Sequence, residues 1–270
     1  MQHKIRGVSA KSLAEMLAVV DAVKKPGGEL SSELFAAVTA IDGAPALRRV
    51  LTDPSADTSA KQGLVKDVFG SKLGADAVKV LDAAVAGRWA SPRDFTDGLE
   101  TAGVVAQVAA ADAAGELDAL ETELFEIGNV VHSDEELASV VADRTVPAAA
   151  KASLLTDLLS GTVSASALGL AVQAVVARRG SFERTLAAFS DTAATRCNRL
   201  LAEVRVAYQL DDAEKTRLAA ALGTKYGRDV HLNIVVDSSV VGGIAVSVGD
   251  EIVDGTMSTR LETARRQLAG

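Results

Sequence analysis

Glu33-Leu34-Phe35 recurs as Glu123-Leu124-Phe125, an offset of 123 − 33 = 90 residues, and this recurrence decides how the chain is organised. At the same offset Leu47, Val50 and Asp53 fall on Leu137, Val140 and Asp143. Ala60, Lys61, Leu64 and Asp67 fall on Ala150, Lys151, Leu154 and Asp157, and Ala84, Val85, Arg88 and Ser91 on Ala174, Val175, Arg178 and Ser181. One ungapped offset held from Glu33 to Ser91 reads as a duplication. Two copies fall short of a solenoid, which needs at least about three repeats to bury its faces.

Each copy has the period of short amphipathic helices. Leu13, Leu17, Val20 and Val23 recur at helical spacing, followed by Leu34, Phe35, Val38 and Ile41. Asp53-Pro54-Ser55 breaks the chain before SAKQGLVKDVF opens another helix. Leu117, Leu120, Leu124, Ile127 and Val131 step by three or four, predicting a helix that starts before the second copy and continues from the first. Ser133 and Glu136 have capping-box spacing and predict a helix start at His132-Ser133. Helical bundles are the natural package for such stripes.

After about residue 200 the period changes to two. RLLAEVRVAYQL alternates Val204, Val206 and Tyr208 against Glu203 and Arg205, which predicts a strand with one buried face. Asp211 and Glu214 cap a helix that ends near Gly227, and DVHLNIVVD alternates again through Val230, Leu232 and Ile234. GGIAVSVGDEIVDG reads as a hairpin turning at Gly249-Asp250, and Met257, Leu261, Ala264 and Leu268 share one face of a closing helix. The fold class is therefore α+β, mostly α-helical bundles in two related copies followed by a small C-terminal α/β unit with a β-hairpin. The expected divisions are residues 1–110, 111–199 and 200–270.

Composition narrows the function classes. The 270 residues are 48% hydrophobic but only 3% aromatic, which favours helices packed through small aliphatic side chains. A net charge of −8 makes the chain a poor ligand for nucleic-acid phosphates. The single cysteine, Cys197, cannot form an internal disulfide, and no histidine stands near to activate it. The most apolar stretch, Ala102 to Gly115, is too short to cross a bilayer and is interrupted by Gln107 and Asp112. The N-terminus lacks the apolar region of a signal peptide.

Catalytic and metal-binding patterns are missing. No GxxxxGK[ST] phosphate loop occurs, and Gly242-Gly243 and Gly249 fall within the hairpin instead of between a strand and a helix. His3, His132 and His231 lack a second histidine or a cysteine at metal-ligand spacing. His231 alternates with Val230 and Leu232, which places it on the solvent face of a strand. His132-Ser133-Asp134 contains triad residue types but sits at a helix start, where capping is the better account. Asp134-Glu135-Glu136 suits a helix N-terminus through its dipole. No metal and no cofactor are expected.

The C-terminal pattern resembles the delta subunit of bacterial F-type ATP synthase, the family of the mitochondrial oligomycin-sensitivity-conferring protein. The residues that carry the resemblance are the strand Leu232 to Val236, Asp237, Val240-Val241-Gly242-Gly243-Ile244, Val246, Gly249-Asp250, Ile252 and Asp254-Gly255. A helix with Leu261 and Leu268 follows; Ser247 departs from the longer polar residue the family often carries. Residues 111 to 270 resemble the family's whole body, and residues 1 to 110 a second copy of its bundle, as in the long delta subunits of actinobacteria.

The resemblance implies a non-catalytic stator subunit at the cytoplasmic face of the cell membrane, touching the membrane only through the complex. Its partners would be the alpha subunits of the catalytic head and the b subunit of the stalk, with no nucleic acid involved. Leu117, Leu120, Leu124, Ile127, Leu168, Val172 and Val175 are candidates for the alpha-facing groove, and Ile244, Val246, Ile252 and Leu261 for the b-facing unit. Gly242, Gly243, Gly249, Asp250, Asp254 and Gly255 are expected to shape the hairpin. Arg178-Arg179 and Arg265-Arg266 are candidates for docking acidic stalk residues. A helical protein-interaction adaptor, or an enzyme with an unrecognised site, remain alternatives at this point.

Overall fold

The structure is a computed structural model that describes residues 5–23, 28–143, 145–176, 180–196, 200–227, 230–237, 240, 243–248 and 251–254. It divides into two compact units, Met1–Thr192 and Ala193–Gly270.

The first unit begins with α1 (Val8–Asp21), α2 (Gly28–Gly43), α3 (Pro45–Thr52), α4 (Thr58–Phe69), α5 (Ala75–Ala86) and α6 (Pro92–Ala114). It continues with α7 (Leu117–Ser133), α8 (Glu135–Ala142), α9 (Ala148–Leu159) and α10 (Ala165–Val176), and α11 (Phe182–Arg196) begins in it and ends past Thr192. Helices α3, α4, α5 and α6 start at 45, 58, 75 and 92, and α8, α9, α10 and α11 at 135, 148, 165 and 182. Every one of these pairs differs by 90, so the sequence duplication is also a duplication of helices.

The same offset carries α1, residues 8 to 21, onto residues 98 to 111, which lie inside α6. One helix of 23 residues thus closes the first copy and opens the second. Its burial matches this double duty, because Phe95, Leu99 and Ala102 are buried together with Val104, Ala106 and Val108. Gln107 is 7% exposed, and its amide donates to the Ser166 hydroxyl of α10 at 3.0 Å. The helix from the first copy does not run on into α7, as the sequence stripe predicted. Gly115 takes φ +72°, and the Glu116 N–H returns to the Ala111 carbonyl at 2.9 Å, a left-handed C-terminal stop that glycine adopts without a Cβ penalty.

Helix α8 corrects a second expectation. Its N-cap is Asp134, whose carboxylate accepts the Leu137 N–H at 2.9 Å. Ser133 is instead the last residue of α7, where its hydroxyl donates to the Val130 carbonyl at 3.1 Å, and His132 lies in that last turn. Aspartate caps as well as serine does, and here it sits one residue nearer the helix.

Helix α1 is held by polar groups as well as apolar ones. Its inward face carries Ser9 and Ser12 beside Met16 and Val20, with Leu13 and Leu17 partly buried. The Ser9 hydroxyl donates to Asp94 Oδ2 at 2.7 Å and accepts the Ala90 N–H at 2.8 Å. Ser12 donates to the Arg88 carbonyl at 2.6 Å. These bonds fasten α1 to the turn between α5 and α6.

The second unit contains β1 (Leu200–Val206), α12 (Asp212–Tyr226), β2 (Val230–Val236), β3 (Ile244–Val248) and β4 (Glu251–Asp254). The strands form one sheet in the order β2-β1-β3-β4, with β1 parallel to β2 and the other pairs antiparallel. The capping box at Asp211 and Glu214 is present, and α12 ends at Gly227. Ala202, Val204, Val206, Leu222, Val246 and Val248 form the core, as period two requires. Tyr208 lies beyond β1 and is 62% exposed, because the strand ends before it. Ser247 pairs with Ile252 and Val248 with Glu251, so two residues, 249 and 250, separate the hairpin strands. Cys197, Arg178-Arg179, Arg265-Arg266 and the closing helix at Met257, Leu261, Ala264 and Leu268 lie outside the described residues.

Candidate partner-docking sites

The duplicated Glu-Leu-Phe motif explains itself in the structure. Leu34 is 0% exposed and Leu124 1%, each a core residue of its copy. Glu33 accepts the Gly74 N–H at 2.7 Å, before the first turn of α5. Glu123 accepts the Ser164 N–H at 3.1 Å and the Ser164 hydroxyl at 2.5 Å, before the first turn of α10. In both copies the glutamate therefore ties the second helix to the start of the fifth, where carboxylates are favourable. Phe35 packs its ring so closely on Gly103 that a Cβ there would lie 2.5 Å from Cε1.

A second duplicated device is a buried lysine. Lys61 donates to the Asp53 carbonyl at 3.4 Å, and Lys151 to the Val141 carbonyl at 2.7 Å. Each cation lies under the C-terminal end of the third helix of its copy, where its charge is favourable. Hydrogen bonds from the Ser55 hydroxyl and N–H hold the Asp53 carboxyl below the ordinary aspartate range. The Thr145 N–H and hydroxyl do the same for Asp143. A pocket of about 290 Å³ opens beside Lys61, lined also by Thr52, Pro54, Thr58, Arg88 and Trp89.

Of the residues expected to face the alpha subunit, Leu117, Leu120, Leu124 and Ile127 are 7%, 0%, 1% and 2% exposed in the chain itself. Leu168, Val172 and Val175 are half-buried on α10 and follow one another at steps of four and three, so they share one partly open strip. On neighbouring helices Val130 of α7 is 55% exposed and Leu158 of α9 51%. The structure thus separates the seven residues into four core side chains and three that remain accessible.

In the second unit Ile244 is half-buried against the sheet core and Val246 is buried. Ile252 belongs to β4, and Leu261 lies outside the described residues. Gly243 has φ +83° just before β3, and Asp254 pairs with Ala245. Gly242, Gly249, Asp250 and Gly255 lie outside the described residues. His231 is half-buried on β2, less open than a solvent-face position implies.

Sequence reasoning missed a groove in the first copy, between α4 and α5. It has a volume of about 440 Å³ and is lined by Gln62, Gly63, Lys66, Leu73, Val78 and Asp82, among others. Burial raises the Asp82 carboxyl above its ordinary range. The available signal was a mismatch between the copies, since the position ninety residues after Asp82 is Val172.

Among the described residues no helix is long and apolar enough to cross a membrane, and no group of three or more His, Cys, Asp or Glu could hold a metal ion.

Comparison with known proteins adds a family. The family described as ATP synthase delta (OSCP) subunit matches residues 104–268. A protein of Streptomyces avermitilis named ATP synthase subunit delta is 40% identical over 265 residues, covering 98% of this chain and 97% of its own length. One of Kineococcus radiotolerans with the same name is 41% identical over 269 residues, covering 98% of each. One of Streptomyces griseus, also so named, is 39% identical over 271 residues, covering all of both chains.

Proposed function

The chain belongs to the ATP synthase delta (OSCP) subunit family, and from that premise we propose that it joins the alpha subunits of the catalytic head to the b-subunit stalk at the cytoplasmic face of the membrane. It is a non-catalytic, peripheral-stalk subunit of the F-type ATP synthase. The observation that carries the reading is similarity to delta subunits along 98% of the chain, both helical copies included.

The physical argument is mechanical. A stator must resist the torque of the rotor, so that proton flow drives conformational change in the head instead of spinning it. Grooves between amphipathic helices accept a partner helix through apolar anchors. In the proposed arrangement Leu168, Val172 and Val175 meet an alpha-subunit helix. Leu117, Leu120, Leu124 and Ile127 support that surface from inside the bundle, since they are buried. Ile244, Val246, Ile252 and Leu261 belong to the unit that holds the stalk. The working division is 1–110, 111–199 and 200–270, with the first segment adding a further contact to head or stalk. An adaptor unrelated to ATP synthase is not favoured, because the relatives match the whole chain.

The test is a pull-down of the full chain with an alpha-subunit N-terminal peptide and a soluble b-subunit fragment. Both should bind at micromolar concentration. Binding of neither contradicts the link.

A further inference from the structure

The first helical copy contains a carboxylate that its own packing does not use. Asp82 lies on α5, and its Oδ1 is buried without a hydrogen-bond partner among the described residues. The groove of about 440 Å³ between α4 and α5 opens beside it. Leaving a buried acceptor without a donor carries a desolvation penalty. The rise that burial forces on the Asp82 carboxyl is the same penalty seen in protonation.

The duplication supplies an internal control. Ninety residues on, Gln62, Lys66 and Asp82 become Ala152, Thr156 and Val172. The corresponding helices α9 and α10 still form, starting at the same offset. The architecture is therefore satisfied by valine where the first copy has Asp82. A carboxylate that the fold does not require answers to something outside the chain.

We propose that the α4–α5 groove docks a helix of another subunit of the complex, one that carries a Lys or Arg within its apolar face to meet Asp82. The inference rests on the reading of the chain as a link between subunits. A helix fits because Gly63 faces open space, Gly70 and Ala75 keep the lining low, and Leu73 and Val78 supply apolar contact. A cation fits because its charge complements the Asp82 carboxylate that lines the groove. Lys66 is exposed at the groove, free to meet an acidic residue on a neighbouring turn of the same helix. The second copy has Leu168 and Val172 at the positions of Val78 and Asp82, so it selects an uncharged face. The two copies thus recognise different helices through one architecture.

The experiment places a photo-crosslinking amino acid at Gly63 of the full chain, where a new side chain meets nothing within 4 Å. The assembled complex is irradiated and the adducts are mapped by mass spectrometry. The expected adduct lies on a helix of another subunit, with a Lys or Arg within one turn. An adduct on a segment lacking a cation, or no adduct in a complex that retains the chain, overturns the proposal. If the wild-type chain fails to co-purify with the complex, the linking role and this proposal fall together. A second variant, Asp82→Val, separates folding from docking. It should raise the thermal midpoint while weakening binding of the crosslinked helix, as a synthetic peptide, roughly tenfold or more. Unchanged peptide binding by Asp82→Val also overturns the proposal.

Discussion

Glu33 accepts the Gly74 backbone N–H at 2.7 Å across 41 residues of sequence, and Glu123 stands in the same relation to Ser164. The bond joins the second helix of a copy to the start of the fifth, so it acts on tertiary packing and on a helix terminus together. Glu33→Ala and Glu123→Ala should each lower stability by about 1 kcal/mol, the usual cost of losing a cap. Glu123→Ala should have the larger effect, because Glu123 also binds the Ser164 hydroxyl. Chemical denaturation checks both, and an unchanged midpoint in either variant would contradict the capping role.

Asp94 should matter more than a single cap. It receives the hydroxyls of Ser9 at 2.7 Å and Ser91 at 2.8 Å, and is 9% exposed. Asp94→Ala leaves those hydroxyls without their acceptor and loosens α1. The expected cost is about 2–3 kcal/mol, with protection of α1 amides lost first in hydrogen exchange. Uniform loss of protection throughout the helical unit would argue against a local fastening.

The close approach of Phe35 to Gly103 makes α6 a sensitive point. Gly103→Val drives a side chain into the ring and should cost roughly 2 kcal/mol or more. Because α6 serves both copies, the two should lose stability together. Fluorescence of Trp89 reports the first copy, and hydrogen exchange of α9 and α10 reports the second. A variant that destabilises only the first copy would show that α6 does not couple them.

Asp82 gives a pH dependence with a definite sign. Its folded-state carboxyl titrates above its unfolded-state value, so the folded state holds the proton more tightly. Stability from this group is present below the unfolded pKa and is lost as pH rises through the folded one. Asp82→Asn keeps the shape without the charge. The variant should gain stability relative to the wild type as pH rises from below the ordinary aspartate pKa, about 3.9, through the raised folded-state value. A constant difference between the two thermal midpoints over that range would contradict the assignment.

The sequence revealed much of the fold because its signals were local or periodic. The offset between Glu33 and Glu123 located the two copies, and the Asp211–Glu214 spacing located α12. What escaped depended on competition between neighbours or on three-dimensional proximity. Ser133 and Asp134 both suit a cap, and only the path of α7 shows that Asp134 takes the role. Leu120, Leu124 and Ile127 form an apolar stripe whether they face a partner or their own core, and they face the core. Asp82 and Gly63 belong to different helices with unrelated local patterns, so no spacing rule joins them. The service of α6 to both copies was hidden because residues 98 to 111 lie beyond the run of matched identities and share little side-chain character with α1.

The central claim is that this chain transmits mechanical restraint between parts of the ATP synthase. Its most direct test is ATP-driven proton pumping in inverted membrane vesicles from cells with and without the chain, with ATP hydrolysis by the head measured in parallel. The account predicts that without the chain hydrolysis persists while pumping disappears, and that adding back the purified full chain restores it. Pumping at the full rate in vesicles that lack the chain would contradict it.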